Sequence, residues 1–439
     1  MVRLPVLPQG RLEQRFEESK PLYKPAEAVT EANRCLYCVE APCVKACPTG
    51  IDIPTFIHKI STENTAGAAR TILKENILGA SCARVCPVEV LCAGACVYNT
   101  WGREPIAIGR LQRFATETAL QSKPLASLLP AAKPNSGKKV ALIGAGPASI
   151  AAAGLLALEG HASVIFEKKK IPGGLNTLGI APYKQSGDAA LKEIEHVFSL
   201  GNIELKDGVE VTEATAAKLL NDFDAVFLGL GLGADSVLGV GEEGEGVVGA
   251  VEFIERIKAD PSANVSHVKR ALVIGGGNTA LDIAHELKLL GIADVALVYR
   301  RAEKDMSGYA HELAHAREHG VTLVENRALT KVHREGGKLK SVTLARTENG
   351  KPVAGGEETL SCELIALAIG QATATQVAKA FSGVQIDTKG RVVVNEMYRT
   401  ANPKVWAGGD CVNGGKEVVN AVQEAKLAVR DIVKSLGGK

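Results

Sequence analysis

Two hydrophobic rhythms alternate along the chain. Short unbroken apolar runs predict buried parallel strands at Lys139–Ile143, 162–166, 270–274, Asp294–Tyr299 and 364–369, and a further strand ends at Trp406. A three-to-four-residue rhythm predicts helices instead. One covers Pro25–Ala32. Another covers 53–77, with Ile53, Phe56, Ile57 and Ile60 and then Ala68, Ala69, Ile72 and Leu73 on one face. Others run over 106–120 and from about Val418 to Leu436.

This pattern predicts an α/β chain: an N-terminal α-helical domain over 1–120, then two Rossmann-like nucleotide-binding domains, the second inserted in the first. Residues 121–138 are rich in Pro, Ser, Lys and Ala and read as the linker. The first nucleotide domain spans 139–265 and 371–439, and the second spans 266–370. Strands before and after the insertion must share one sheet, so the first domain is discontinuous. The glycine-rich stretch 239–249 reads as a surface crossing between the two.

At 439 residues the chain is long enough for two or three full cores. A net charge of +2 with interspersed signs gives no case for nucleic acid or a membrane surface. The N-terminal residues hold prolines and no apolar h-region, so no signal peptide is expected. No uninterrupted apolar run of about 18 residues occurs, so no membrane span is expected. Crowded free cysteines then fit a reducing cytoplasm.

Eight of the ten cysteines fall between Cys35 and Cys96. Cys35, Cys38, Cys43 and Cys47 form C-x2-C-x4-C-x3-C-P, and Cys82, Cys86, Cys92 and Cys96 form C-x3-C-P-x5-C-x3-C. Cubane clusters need four converging thiolates, and in two-cluster ferredoxins the cysteine before the proline serves the other cluster. Two [4Fe–4S] clusters are the expectation. Structural zinc would want paired C-x2-C knuckles, which only Cys35 and Cys38 supply, and disulfides would want a secreted chain. Cys362 and Cys411 stand alone and read as packed thiols.

After the strand Lys139–Ile143 come Gly144, Gly146, Pro147, Ala148 and Ser149, opening a helix, and the next strand ends in Glu167. Glycines let a pyrophosphate approach the backbone, the helix N-terminus faces its charge, and the acid suits a ribose diol. A second unit repeats the order with Gly275, Gly277, Asn278, Thr279 and Ala280, but its second strand ends in Arg300 and Arg301. Two guanidiniums there suit a 2′-phosphate and so NADPH; solvated arginines with NADH bound are the alternative. The chain turns again at Gly409 and Asp410. The histidines show no metal spacing, and no nucleophile–base pattern appears, so no side chain is expected to act as acid or base. A hydride carries two electrons and a cluster accepts one, so a flavin is expected between them: FAD at the Glu167 and Asp410 site, NAD(P)H at the Arg300 and Arg301 site.

The runs CLYCVEAPCVKACPTGIDIPTFI, CARVCPVEVLCAGAC, PIAIGRLQRFATE and GAGPASIAAAGLLALEGH resemble the N-terminal half of dihydropyrimidine dehydrogenase, which has a separate subunit in the two-subunit bacterial form. More distantly the chain resembles the small subunit of glutamate synthase. The resemblance implies Cys35, Cys38, Cys43 and Cys96 on one cluster. It implies Cys47, Cys86, Cys92 and, unusually, Gln112 on the other, leaving Cys82 unligated. It implies flavin contacts from Gly146 to Ile150, at Glu167, Lys168, Gly174, Leu175 and Lys184, and from Asp410 to Val418. Nicotinamide-cofactor contacts are implied from Gly277 to Ala280, at Arg300 and Arg301, and from Ala368 to Gly370. Ser307 stands where related glutamate synthase chains often have proline. No TIM-barrel run, FMN site or further ferredoxin cysteines occur in residues 1–439. The implied role is an electron-input subunit docking a pyrimidine-reducing partner with FMN and further [4Fe–4S] clusters, in a heterotetramer. Bacterial two-subunit enzymes of this kind generally use NADH, which runs against the arginine reading, so the cofactor stays NAD(P)H.

Overall fold

The computed structural model describes residues 4–438. Its first parallel sheet has five strands in the order Val405–Ala407, Ala225–Leu228, Lys139–Ile143, Ala162–Glu167 and Ile203–Asp207. The strand from the C-terminal region pairs Val405 with Val226, so sequence segments on both sides of the insertion share this sheet. Nearly every residue of its central strands is buried, the property that made them legible as unbroken apolar runs.

The second sheet also has five parallel strands: Val247–Gly249, Leu364–Ala368, Arg270–Gly275, Asp294–Tyr299 and Thr322–Glu325. Here two expectations are corrected. Val247–Gly249 is an edge strand of the second sheet, with Val247 beside Ile365, rather than part of a surface crossing. The following helix Ala250–Ala259 buries Phe253, Ile254 and Ile257 in the second core with Val273 and Ala280. The segment 247–259 therefore belongs to the second nucleotide domain, whose start lies earlier than residue 266. A strand of three residues between glycines carries too little periodicity to announce itself. The chain enters and leaves this domain through an antiparallel pair, Leu232–Asp235 with Gln371–Thr373. An antiparallel sheet led by Arg327–Glu335 and Lys338–Glu348 is attached to the same domain.

The N-terminal domain is helical. The single helix expected over 53–77 is two, Ile53–Ser61 and Thr65–Glu75. Glu63 adopts a left-handed φ of 59° between them, and Asn64 caps the second helix by accepting from Gly67 N–H at 2.9 Å. Both keep their apolar faces inward, which is why one continuous period fitted them. Phe56 is fully buried, worth about 2–3 kcal/mol relative to exposure. The helix Ile108–Ser122 closes this domain and buries Leu111, Gln112 and Ala115 on one face.

Side chains from the first nucleotide domain fasten the helical domain to it. Glu193 accepts from the N–H of Ala80 at 2.8 Å and of Ser81 at 3.1 Å, the first turn of helix Gly79–Val85. Those donors have no partner within their own helix, so the carboxylate satisfies them. Lys426, on the last helix Val418–Ser435, donates to the carbonyls of Thr49 and Glu75 and pairs with the Glu75 carboxylate.

Candidate functional site: two cysteine pockets and two nucleotide turns

Cys35, Cys38, Cys43 and Cys96 line one pocket. Cys35 and Cys38 follow the helix Pro25–Ala32, and Tyr37 between them takes a left-handed φ of 50°. Its hydroxyl lies 3.2 Å from Ser61 Oγ, holding the turn against the next helix. Cys43 lies on the short helix Pro42–Lys45, and Cys96 precedes the turn Val97–Trp101. The walls are apolar, with Ile53, Pro54, Ile57, Ile106 and Ile108. Burial pushes the Cys43 thiol up to about 11, with Cys35 adding to the effect.

Cys47, Cys86 and Cys92 line a second pocket, joined there by both Cys82 and Gln112. Cys47 comes from the first cysteine run, so that run feeds both pockets. Cys82 lies on the helix Gly79–Val85 one turn before Cys86, and a hydrogen bond to Cys82, followed by burial, pushes the Cys86 thiol well up. Burial likewise raises Cys92. Gln112 Nε2 donates to the Gly79 carbonyl at 2.8 Å, so the amide nitrogen is occupied and Oε1 is the atom left for the pocket. Both sets fit iron–sulfur clusters: neutral buried thiols crowded together are costly to ionise, and a cluster supplies the positive charge that deprotonates them. Cys362 and Cys411 are buried elsewhere, each pushed up to about 12 by burial.

At the first nucleotide turn Gly144 has φ 88°, and a Cβ there would fall 2.5 Å from the Gly229 carbonyl oxygen. Gly146 stands at the N-cap of the helix Pro147–Leu158 without any side-chain cap. Other helices cap themselves with Asp52, Asn64 or Ser186. The uncapped N–H groups here are a ready anion site. Ala148 and Ile150 are buried on this helix, and the buried Ser149 Oγ has no hydrogen-bond partner. Gly174 folds over the turn, where a Cβ would stand 3.1 Å from Gly146 Cα, and Leu175 opens the next short helix. Glu167 accepts from Ala145 N–H at 2.7 Å and Lys169 N–H at 2.8 Å, which aims its carboxylate at the turn. Lys168 beside it is exposed. From the far edge of the sheet, Gly409 backs onto Ala148, and burial raises the carboxyl of Asp410. These residues gather unpaired backbone N–H groups and two carboxylates around one glycine turn. Lys184 is engaged differently: its Nζ pairs with Asp282 at 2.7 Å and Glu312 at 2.6 Å, both in the second domain. Burial alone would lower this ammonium, but the two carboxylates outweigh it and raise it.

The second turn repeats the first. Gly277 is the uncapped N-cap of Asn278–Leu289, Ala280 is buried, Thr279 is exposed, and Gly275 pairs with Ala368 across the sheet. Asn278 Oδ1 accepts from Tyr309 N–H at 2.9 Å, which ties the 307–309 loop over the turn, and Ser307 Oγ stands close to Gly277. Arg300 and Arg301 are both exposed. Arg301 donates to the Tyr299 hydroxyl at 2.8 Å, whereas Arg300 makes no ion pair among the described residues. Gly370 is exposed at the exit from the domain.

The histidine expectation is corrected. His285, His315 and His319 bring one ring nitrogen each within 4.8 Å of one another. His315 and His319 have the i, i+4 spacing that places two side chains on one helix face, a signal present in the sequence; His285 lies 30 positions away and gave none.

Residues 12–124 match a family described as dihydropyrimidine dehydrogenase domain II, 4Fe-4S cluster. Residues 138–425 match the pyridine nucleotide-disulphide oxidoreductases. The chain is 36% identical to the NAD-dependent dihydropyrimidine dehydrogenase subunit PreT of Escherichia coli O157:H7, over 96% of this chain and 98% of that protein. It is 34% identical to the glutamate synthase [NADPH] small chain of Halomonas elongata, over 96% of this chain and 93% of that one. In fold it is similar to Mycobacterium tuberculosis FprA in complex with NADPH, with a TM-score of 0.55 and 20% identity, over 70% of this chain and 85% of that one.

Proposed function

Because this chain belongs to the pyridine nucleotide-disulphide oxidoreductase family and carries a 4Fe-4S domain of the dihydropyrimidine dehydrogenase type, we propose that it is the electron-input subunit of a dihydropyrimidine dehydrogenase. The coarser activity is that of an NAD(P)H-dependent oxidoreductase. In this reading Cys35, Cys38, Cys43 and Cys96 hold one [4Fe–4S] cluster, and Cys47, Cys86, Cys92 and Gln112 hold the other. FAD lies on the Gly144–Gly146 turn with Glu167 and Asp410. NAD(P)H lies on the Gly275–Gly277 turn beside Arg300 and Arg301. When bound, a flavin takes the two electrons of a hydride and releases them singly to the clusters.

The chain's own residues support one order of transfer, from the inner pocket to the outer. Val419, on the helix that follows the Asp410 turn, lines the second cysteine pocket, so that pocket abuts the flavin domain. The first pocket lies outward. Leu36 lines it and is 46% exposed, Val39 is fully exposed, and exposed Trp101 packs edge-on to Tyr98 of the same wall at 5.7 Å. An apolar rim around the outer pocket suits a partner that takes electrons there.

The observation that carries the pyrimidine reading is Gln112 in the second pocket, with Nε2 held away on Gly79. A second reading, the small subunit of a glutamate synthase, is supported by the 34% identity to such a chain. The resemblance implies Glu at the Gln112 position in glutamate synthase chains, whereas the run GRLQRFATE here carries Gln. Co-purification separates the two: a partner with FMN that reduces uracil or thymine supports the first, and a glutaminase-bearing partner supports the second and contradicts the first.

A further inference from the structure

His285 lies on the helix Asn278–Leu289, His315 on the neighbouring helix Ala310–Glu318, and His319 at the end of the latter. Their ring centres are 4.7, 4.4 and 4.9 Å apart, and one nitrogen from each falls within 4.8 Å of the others. Three imidazoles bound to one zinc ion, with Zn–N bonds of about 2.0–2.1 Å at tetrahedral angles, have ring centres about 5 Å apart. His285 is 2% exposed, and neither of its ring nitrogens has a hydrogen-bond partner. A buried imidazole with both nitrogens unmet is costly, and a ligand to it would remove that cost. His319 Nδ1 lies 2.9 Å from the His315 carbonyl. A carbonyl only accepts, so Nδ1 carries the proton and Nε2 presents its lone pair, the arrangement that orients metal-binding histidines.

We propose that His285, His315 and His319 form a binding site for a divalent ion of the zinc type, clamping the helix behind the second nucleotide turn to its neighbour. Three nitrogen donors without a carboxylate suit zinc rather than magnesium or calcium. A water would complete the tetrahedron, since His315 and His319 are exposed. Glu312, which pairs with Lys184 at 2.6 Å, is the acid that acts on His285. The Tyr183 ring covers His285 at 4.5 Å and shuts one side. The cysteine pockets are separate and keep their own ligands.

The test uses the full chain purified anaerobically with its clusters intact, treated with a chelator, equilibrated with zinc chloride and desalted. Elemental analysis should find one zinc ion retained per chain with the iron content unchanged, and zinc should raise Tm. His315→Ala and His319→Ala, both at exposed positions, should weaken zinc retention by more than about tenfold and abolish the rise in Tm. His311→Ala, on the same helix but outside the cluster, should bind zinc as the parent does. No retained zinc in the parent, or equal retention in the His315→Ala/His319→Ala double variant, would overturn the site.

Discussion

Cys43 and Cys47, four positions apart, line different pockets. Cys43 lies on the short helix Pro42–Lys45 and Cys47 two residues beyond its end, so this one segment joins the two sites. We predict about eight irons per chain, and that Cys43→Ser and Cys47→Ser each remove about four, with different paramagnetic signals lost. An iron content near one or two per chain, or loss of the same signal in both variants, would contradict the two-pocket assignment.

Gln112 and Cys82 compete for one coordination position. Thiolate is the common ligand, but Gln112 has its nitrogen tied to Gly79, which leaves its Oε1 for the pocket. A neutral amide ligand leaves the cluster less negative and favours its reduction. Gln112→Ala should alter or abolish one cluster's paramagnetic signal, and Cys82→Ala should leave both clusters assembled. Loss of four irons in Cys82→Ala with none lost in Gln112→Ala would reverse the assignment and weaken the pyrimidine reading.

Much of this site is local in sequence and was legible for that reason. The cysteine runs, the two glycine turns and the strand-end Glu167, Arg300 and Arg301 each lie within one short unit. What was not legible depends on distant partners. Lys184 pairs with residues 98 and 128 positions on, and nothing near Lys184 announces either. Val247–Gly249 becomes a strand only because Ile365 offers an edge. Periodicity merged the helices Ile53–Ser61 and Thr65–Glu75, because the turn between them preserves the buried face. The grouping of His285 with His315 needs two helices packed together.

The exposed guanidinium of Arg300, with no ion pair among the described residues, is available to a 2′-phosphate, and Arg301 leans on Tyr299 beside it. If they read that phosphate, Arg300→Ala with Arg301→Ala should cost NADPH about 1.5–3 kcal/mol per lost contact and leave NADH nearly unchanged. Steady-state KM values for the two cofactors make the comparison. Equal changes for both would show that the arginines read no phosphate.

Lys258 is fully buried, with Nζ donating to the carbonyls of Ile180 at 2.9 Å and Gln185 at 2.8 Å. Burial lowers its ammonium to about 8 from an ordinary 10.5, against the pull of Glu13 and Glu286. Between those values the unfolded chain binds more protons than the folded one, so stability rises with pH across that window; below it the penalty is fully present. The penalty is on the order of 3 kcal/mol. Denaturation midpoints should climb over this range in the parent and stay flatter in Lys258→Met. The same slope in both would show that Lys258 is not the group responsible.

The central claim is that this chain takes electrons from NAD(P)H and hands them to a partner that reduces pyrimidines. The direct measurement is anaerobic NAD(P)H oxidation by the purified chain with an artificial acceptor, with uracil alone, and with uracil plus a pyrimidine-reducing subunit. Oxidation with the acceptor, none with uracil alone, and uracil-dependent oxidation once the partner is added is the predicted result. Uracil reduction by the isolated chain, or failure to oxidise NAD(P)H with any acceptor while flavin and clusters are present, would contradict it.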